Sequence, residues 1–369
     1  MTSWNGRGAG WALSVAALFC LAGFGCGGAT DPSGSPAESG GGAQTGAPGA
    51  SPSTASGTGP RLLFITNSNS DWWTAVQKGM EDGGAKFGAQ VEMRRNNGQP
   101  EGQISLLETA LSLTDVKGVA VSVLEAESPG IADKMRELQK AGKVVIAIDS
   151  DGQADARRAY IGTNNRKAGE SAGQAALALR PKGGKTAVFV GTASAANAIE
   201  RREGFFAGAG KAFEQIELFE DGGDLNRALS NVETALNKHP DVGVLLGLWS
   251  YNAPRIAEEA SKSPERRKNL TVVTFDLDEQ AVEHCEKGRI DATVCQNPYE
   301  MGYQGVRLLK AYVENDQATI GEMLPKGATT IDTGVRVIVP STDSPVKGDN
   351  VIDVKAMKEW LSSKGLKSS

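Results

Sequence analysis

The sequence predicts an α/β fold made of two doubly wound lobes, each a parallel β-sheet with helices on both faces. From residue 61 onward, short runs rich in β-branched residues alternate with amphipathic helical stretches, which is the pattern of repeated strand–helix–strand units. The alternation restarts near residue 186 with similar elements. The roughly 310 residues after position 60 also exceed the usual size of one hydrophobic core, so two lobes are expected.

The first half of this alternation runs from residue 62 to residue 148. Its strand segments are apolar and bounded by polar residues or glycine, as the strands of a buried parallel sheet are. Strands are predicted at residues 62–66, 91–94, 119–123 and 144–148. Helices are predicted at residues 72–87, 103–113 and 131–141.

The second half repeats the alternation from residue 186 to residue 313. Strands are predicted at residues 186–190, 217–220, 242–248 and 271–275. Helices are predicted at residues 195–213, 227–238, 253–261, 279–287 and 301–313. The last of these helices carries its apolar residues on one stripe, which predicts that one face packs against a sheet.

The first residues of the chain have the pattern of an export signal. Arg7 is the only charged residue before Asp31, and residues 11–24 form an apolar run that is too short for a spanning helix of about 20 residues. We therefore predict a signal peptide over residues 1–26. The small residue before Cys26 and the two glycines after it resemble a lipoprotein signal, in which the cysteine becomes the acylated N-terminus. Cleavage by an ordinary signal peptidase is the alternative.

Residues 27–60 are predicted to form a flexible tether. They contain only small and polar residues with two acids, and they have no Leu, Ile, Val or aromatic residue. Such a segment buries too little apolar surface to offset the entropy lost on ordering. A tether behind a lipid anchor would let a soluble domain stand off a membrane, so the expected location is the periplasm or cell envelope, with anchoring through Cys26.

Composition excludes several classes of function. The formal net charge is −5, and −4 after residues 1–60 are removed, without a basic cluster, so a nucleic-acid partner is not expected. The folded part has only His239 and His284, and it has no phosphate-binding glycine loop, nucleophile elbow or cluster with metal-ligand spacing. Neither an enzyme nor a cofactor or metal site is expected.

Cys285 and Cys295 are the only cysteines after the signal and tether segments. An even pair of cysteines in an oxidising compartment is consistent with a disulfide, which here would join the end of a helix to the following strand. Two buried free thiols are the alternative, and the sequence leaves both open.

Polar residues follow the predicted strands at the positions where doubly wound sheets bind ligands. Asp149 and Asp276 each come directly after an apolar strand, where a carboxylate is costly to bury unless a donor pairs with it. Adjacent sugar hydroxyls are suitable donors because a carboxylate accepts charge-assisted hydrogen bonds from two of them. Capping of the following helix is the alternative role for each Asp.

Aromatic and cationic side chains lie at other strand ends. Trp72 and Trp73 stand where a loop meets a helix, and an aromatic face suits the apolar C–H patches of a sugar ring. Packing in the core is the alternative for both. Arg201, early in a predicted helix, would offer a planar fork of donors to ligand oxygens, with a surface ion pair as the alternative.

Several segments occur together in an order typical of one family. They are residues 69–73, Val144-Val145-Ile146-Ala147-Ile148-Asp149, Tyr160-Ile161-Gly162-Thr163-Asn164-Asn165, Arg201-Arg202-Glu203-Gly204-Phe205, Val273-Thr274-Phe275-Asp276 and Ala292-Thr293-Val294-Cys295-Gln296-Asn297-Pro298. On these motifs, residues 61–340 resemble the bacterial periplasmic sugar-binding proteins of the ribose-binding type. These have the type I periplasmic binding protein fold and deliver sugars to ABC importers or to sugar receptors.

The resemblance implies a site and a division into lobes. The implied ligand-binding residues are Ser70, Trp72, Trp73, Ser122, Asp149, Arg201, Trp249, Asn252, Asp276 and Gln296. Three crossings would divide the chain into an N-terminal lobe of residues 61–163 plus 297–334 and a C-terminal lobe of residues 164–296 plus 335–369. Ser150 and Trp249 stand where ribose binders have Arg and Asn, so the expected ligand is a ring other than ribose with a larger apolar face.

The implied function is that of an exported solute-binding protein of an ABC-type sugar importer. It would act as a monomer, bind a monosaccharide or similar small polyol between the lobes by hinge closure, and be recognised by a membrane permease. A receptor that feeds a chemosensory or two-component sensor is the alternative. Neither reading implies a cofactor.

Overall fold

The computed structural model describes residues 58–369. The predicted signal peptide, its Cys26 and residues 27–57 of the predicted tether lie outside the described residues. Within residues 58–369, no helix is both long and apolar enough to cross a membrane.

The strands and helices of residues 58–369 alternate along most of the chain. The strands are β1 (Arg61–Ile65), β2 (Gln90–Arg94), β3 (Val116–Val121), β4 (Val144–Ile148), β5 (Tyr160–Gly162), β6 (Gly184–Val190), β7 (Phe213–Glu220), β8 (Val242–Gly247), β9 (Thr271–Phe275), β10 (Ala292–Cys295), β11 (Thr330–Asp332), β12 (Arg336–Val339) and β13 (Val351–Asp353). The helices are α1 (Trp73–Phe87), α2 (Pro100–Ser112), α3 (Pro129–Lys140), α4 (Asn165–Leu179), α5 (Ala196–Ala209), α6 (Leu225–Lys238), α7 (Asn252–Ser261), α8 (Pro264–Arg267), α9 (Glu279–Glu286), α10 (Pro298–Val313), α11 (Gln317–Met323) and α12 (Val354–Ser363).

These strands form two sheets. The first sheet has the order β11-β5-β4-β3-β1-β2, and its strand pairs are all parallel. The second has the order β13-β12-β10-β9-β8-β6-β7, with parallel pairs except that β12 runs antiparallel to β10. The predicted class of two doubly wound α/β lobes is confirmed. The antiparallel pair of β10 and β12, next to the edge strand β13, is a feature that the sequence pattern did not predict.

Each sheet buries apolar side chains on both faces, as parallel sheets must. In the first lobe, α1 and α10 cover one face of the sheet, and α2 and α3 cover the other. In the second lobe, α4 and α5 cover one face, while α6, α7, α9 and α12 cover the other. The fully apolar strands therefore read as continuous hydrophobic runs instead of alternating ones, which is why they were visible in the sequence.

One predicted helix extended too far. Residues 195–213 were expected to be helical, but α5 ends at Ala209 and Phe213 begins β7. Gly210 follows the helix with a φ of 61°, a conformation that glycine adopts without the steric cost of a side chain. Phe213 then faces the core as a strand residue, packed with Phe205.

The sequence pattern also missed α4, whose first eleven residues are polar or small. This helix packs closely on α5 through glycine. A Cβ added to Gly169 would lie 2.2 Å from the backbone oxygen of Arg201, and one added to Gly173 would lie 2.1 Å from that of Phe205. The two backbones therefore touch where these glycines face α5, and this contact fixes the position of the helix that carries Arg201.

Three connections run between the two sheets. The chain leaves the first sheet after β5 to enter α4, returns after β10 to α10, and crosses again between β11 and β12. Each connection is two or three residues long in the part of the chain described here.

Cys285 and Cys295 are free and buried. Of the two alternatives that the sequence left open, the structure thus holds free thiols and not a disulfide. Burial raises the pKa of the Cys285 thiol to about 12 and also raises that of Cys295, so both are poor nucleophiles near neutral pH. They pack as small apolar side chains in the hydrophobic core of the second lobe.

Candidate functional site

The candidate site lies beyond the carboxyl ends of strands from both sheets. In each sheet the strand order reverses between the first strand and the third, which creates the crevice where doubly wound sheets bind ligands. In the first lobe, residues 67–73 follow β1 and Asp149 follows β4. In the second, Trp249 comes shortly after β8 and Asp276 directly after β9.

These residues line one cavity. The cavity has a volume of about 30 Å³. That is room for roughly two or three waters. The lining residues are Asn67, Ser68, Ser70, Trp72, Trp73, Asp149, Asn197, Arg201, Trp249, Ser250, Tyr251, Asp276 and Gln296.

Asp149 is a buried carboxylate held by the first lobe. Its φ of 63° lies in the left-handed region, which Asp tolerates better than most residues. The carboxylate accepts hydrogen bonds from Ser122 Oγ at 2.8 Å and from Asn67 Nδ2 at 3.5 Å. Burial raises the pKa of Asp149 to about 6, although the charge of Arg201 and the Ser122 hydrogen bond act to lower it.

Asp276 is the corresponding carboxylate of the second lobe. It too follows a central strand, has a left-handed φ of 61°, and is 2% exposed. Gln296 donates to it twice, from its backbone N at 2.9 Å and from Nε2 at 2.8 Å. Burial raises the pKa of Asp276, opposed first by the charge of Arg201 and then by these hydrogen bonds. The two lobes therefore present equivalent carboxylates to the same space.

Arg201 brings a buried guanidinium near both acids, and its charge acts to lower the pKa of each. Its Nε donates to Asn165 Oδ1 at 2.9 Å, and its Nη1 donates to the backbone oxygen of Leu248 at 2.8 Å. The guanidinium lies over the ring of Phe275, with Cζ 4.7 Å from the ring centroid. Its Nη2 is buried and has no hydrogen-bond partner among residues 58–369. The site thus keeps one cationic donor free.

Indole rings form much of the remaining wall. Trp72 and Trp73 are perpendicular, with centroids 5.0 Å apart, and Trp73 Nε1 donates to Ser68 Oγ at 3.2 Å. Trp72 Nε1 is buried and has no hydrogen-bond partner within the described chain. Trp249 enters from the second lobe.

The structure brings together eight of the ten residues predicted for the ligand site. They are Ser70, Trp72, Trp73, Asp149, Arg201, Trp249, Asp276 and Gln296. Ser122 and Asn252 do not line the cavity. Ser122 lies behind the wall as a donor to Asp149, and Asn252 uses both ends of its amide on Trp249 N and Asp221.

Five lining residues were not predicted: Asn67, Ser68, Asn197, Ser250 and Tyr251. Four of them, Asn67, Ser68, Ser250 and Tyr251, lie in the segments that follow β1 and β8, so a search of whole strand-end segments would have included them. Asn197 had no such signal, because it lies in the first turn of α5 and reaches the cavity only through the packing of that helix. Among residues 58–369, no group of three or more acidic, His or Cys side chains is arranged to hold a metal ion.

The fold and this cavity define a two-lobed protein that binds a small polar ligand between its lobes. A family model described as a periplasmic binding protein domain matches residues 62–317. The chain belongs to the periplasmic binding protein family. The predicted family and fold are confirmed.

Two curated relatives cover about two thirds of the chain. The D-allose-binding periplasmic protein of Escherichia coli is 26% identical over 261 residues, which span 67% of this chain and 82% of the relative. The ribose import binding protein of Bacillus subtilis is 24% identical over 241 residues, which span 65% and 77%.

Solved structures of the same fold include sugar-binding members. An ABC transporter solute-binding protein from Burkholderia graminis, solved with D-arabinose, has a TM-score of 0.69 and 26% identity, covering 76% of this chain and 95% of that one. A glucose-galactose binding protein from Geobacillus stearothermophilus has a TM-score of 0.70 and 24% identity, covering 78% and 99%, which shows a common fold.

Proposed function

We propose that this chain is the exported solute-binding protein of an ABC-type sugar importer and that it binds a monosaccharide or similar small polyol. One observation carries the proposal: buried carboxylates from opposite lobes, Asp149 and Asp276, meet in one cavity beside the free Nη2 of Arg201. A sugar offers adjacent hydroxyls that donate to carboxylates and accept from a guanidinium. An anionic ligand would instead face two acids and one cation.

The indole rings would make the apolar contacts with the sugar. A sugar ring has apolar C–H patches beside its hydroxyls, and Trp72, Trp73 and Trp249 offer flat apolar surfaces that exclude water from the hydrogen bonds. The unpaired Trp72 Nε1 and Gln296 Oε1 add one donor and one acceptor for hydroxyl groups. Ribose is not the proposed ligand, because the aromatic area here favours a ring with a larger apolar face.

Binding is coupled to closure of the lobes in this proposal. A ligand shifts an open–closed equilibrium only if it binds the two states with different affinity, and a sugar that contacts Asp149 and Asp276 together bridges both lobes. The carboxylates and Arg201 are buried in the conformation described, so we propose that a sugar ring enters, and makes room for itself, when the lobes are apart. The three short connections between the sheets are the proposed hinge, at residues 162–164, 296–298 and 334–335.

We extend the proposal to the partner and the location. The relatives are named for ribose import and D-allose binding, which supports an importer over a sensor and a membrane permease as the partner. Export by the signal at residues 1–26, lipidation of Cys26 and a tether over residues 27–60 remain proposals that rest on the sequence. We propose that the chain acts as a monomer and catalyses no reaction, in keeping with a family of binding proteins.

A thermal-shift screen of residues 27–369 against pentoses, hexoses, deoxysugars and polyols tests this function. We expect at least one sugar to raise the unfolding midpoint and to bind with micromolar or tighter affinity. Trp72→Ala should abolish that shift, because it removes a wall of the cavity. Trp360→Ala is the matched control, since Trp360 in α12 packs on Arg336 of β12 and does not line the cavity, so this variant should keep the shift. A screen in which no polyol binds would refute the proposal.

A further inference from the structure

A buried hydrogen-bond network lies behind the aromatic wall of the second lobe. Its centre is Asp221, which directly follows β7 and is 1% exposed. Its Oδ1 accepts from the hydroxyl of Tyr251 at 2.6 Å and from the backbone N of Gly223 at 2.8 Å. Its Oδ2 accepts from Asn252 Nδ2 at 2.9 Å. Tyr251 lines the cavity, so Asp221 holds one wall residue directly.

The network has a fixed direction. An ionised carboxylate only accepts hydrogen bonds, so Asn252 must turn its NH₂ toward Asp221. The carbonyl oxygen of the same amide then faces the other way, where it accepts from the backbone N of Trp249 at 3.2 Å. Asp221 therefore orients Asn252, and Asn252 fixes the backbone at Trp249.

The rings of Trp249 and Tyr251 are also restrained by close packing. The Trp249 and Tyr251 rings are nearly perpendicular, with centroids 6.3 Å apart. A Cβ added to Gly191 would lie 2.3 Å from both Trp249 Cζ3 and the Tyr251 hydroxyl. Trp249 Nε1 is held by Asn197 Oδ1 at 3.1 Å. These contacts restrain both rings in the position described.

The same carboxylate anchors a turn that faces the opposite lobe. Gly222 and Gly223 have φ values of 65° and 82°, which a side chain would strain, and Asp221 holds this turn through Gly223 N. A Cβ added to Gly98 of the first lobe would lie 3.9 Å from the backbone oxygen of Gly222. Asp221 thus contacts both the aromatic wall and the turn that meets the other lobe.

We propose that Asp221 is a positioning residue that fixes Trp249 and Tyr251 and thereby determines which sugar the cavity accepts. Stacking depends on where the apolar face of a ring lies, so displacement of these rings changes the relative affinity for sugars that differ in hydroxyl orientation. The specificity part of this inference rests on the proposed function. The positioning of Trp249 does not, because it is a property of the protein without ligand.

A residue exchange tests the direction of the network. Asp221→Asn turns an NH₂ toward the NH₂ of Asn252, so that one donor is left facing another. The double variant Asp221→Asn with Asn252→Asp restores each contact: the new Asp accepts from Trp249 N and from the new Asn, whose oxygen still accepts from Tyr251 and Gly223. Asp241→Asn is the matched control, because Asp241 is an exposed acid of the same lobe.

The first measurement uses ¹⁹F NMR on residues 27–369 labelled with 5-fluorotryptophan. Trp249→Phe assigns one resonance, and Trp360, which lies on α12, serves as an internal reference for the fold. We expect Asp221→Asn to shift or broaden the Trp249 resonance and leave that of Trp360 in place, with recovery in the double variant. An unchanged Trp249 resonance in Asp221→Asn, or no recovery in the double variant, would overturn the positioning role.

The second measurement is the affinity of each variant for D-allose, D-arabinose, D-ribose, D-galactose and every other sugar that raises the unfolding midpoint in the thermal-shift screen. We expect Asp221→Asn to change the ratio of the two tightest affinities at least fivefold and the double variant to restore it within twofold. If sugars bind and that ratio stays constant, the specificity role is wrong.

If no sugar binds the unsubstituted protein, the proposed function fails, whereas the ¹⁹F result still decides whether Asp221 positions Trp249. If Asp221→Asn does not fold, recovery of folding and of the Trp249 resonance in the double variant supports the network, and failure to recover refutes it.

Discussion

Asp149→Asn should weaken sugar binding and stabilise the ligand-free protein at the same time. The variant keeps the shape of the side chain and an acceptor for Ser122, but it removes a charge that burial penalises. A charge-assisted hydrogen bond is worth about 1 kcal/mol more than a neutral one, so loss of charge toward two hydroxyls costs roughly 2 kcal/mol of binding free energy. That corresponds to a roughly 30-fold rise in the dissociation constant.

The stability change has the opposite sign. The pKa of Asp149 is raised from 3.8 to about 6, and each unit corresponds to about 1.36 kcal/mol, so ionisation at pH 7 costs the folded state about 3 kcal/mol. An acid whose pKa is raised by folding loses stability as the pH rises from its unfolded to its folded pKa. The stability gap between variant and unsubstituted protein should therefore be largest above pH 6 and shrink to near zero by about pH 4.

Calorimetric titration with the sugar found in the screen, together with urea unfolding at pH 4 to 7, measures both effects. Asp133→Asn is the matched control, because it removes an exposed acid from α3 of the same lobe and should change neither quantity appreciably. The reasoning is refuted if Asp149→Asn binds the sugar as tightly as the unsubstituted protein, or if it is less stable at pH 7.

Three further predictions concern pH, packing and export. Affinity for the sugar should fall by up to about tenfold per pH unit below about 6 and level off roughly 30-fold lower, because protonated Asp149 is as neutral as the Asn variant; a constant affinity from pH 7 to pH 4.5 in calorimetry would contradict this. Gly169→Ala should destabilise the fold by about 1–3 kcal/mol in urea unfolding and weaken sugar binding, since the new Cβ forces α5 and Arg201 away, whereas Gly321→Ala, with open space around it, should do neither. Cys26→Ser should move the exported protein from the membrane fraction to the soluble fraction on immunoblots, and unchanged fractionation would exclude lipidation.

The sequence predicted the first four strands of each sheet because most strands of a parallel sheet are buried on both faces, but it did not predict the short strands β5, β11, β12 and β13. Runs such as residues 144–148 are apolar throughout, and the order of strands and helices then leaves few possible topologies. Helix α4 was missed for the opposite reason. Its small residues serve close packing against α5 and give a weak amphipathic pattern, so its existence depends on a contact that is distant in sequence.

The two carboxylates of the site were predictable from a local rule. Asp149 and Asp276 each follow an apolar strand, where burying a charged carboxylate is costly unless a donor pairs with it. The same rule applies to Asp221, but β7 is partly exposed and its apolar pattern is weaker, so Asp221 was not predicted to be near the site. Asn197 could not be predicted from a sequence pattern, because polar residues are common in the first turn of a helix. It lines the cavity only because of how α5 packs in the folded protein.

The central claim is that one sugar bridges Asp149 and Asp276, and a crystal structure with the tightest-binding sugar from the screen tests it most directly. We expect a single sugar in the cavity, with hydroxyl oxygens within hydrogen-bond distance of both carboxylates and its ring against Trp72. A sugar that contacts only one lobe, or that lies outside this cavity, would contradict it.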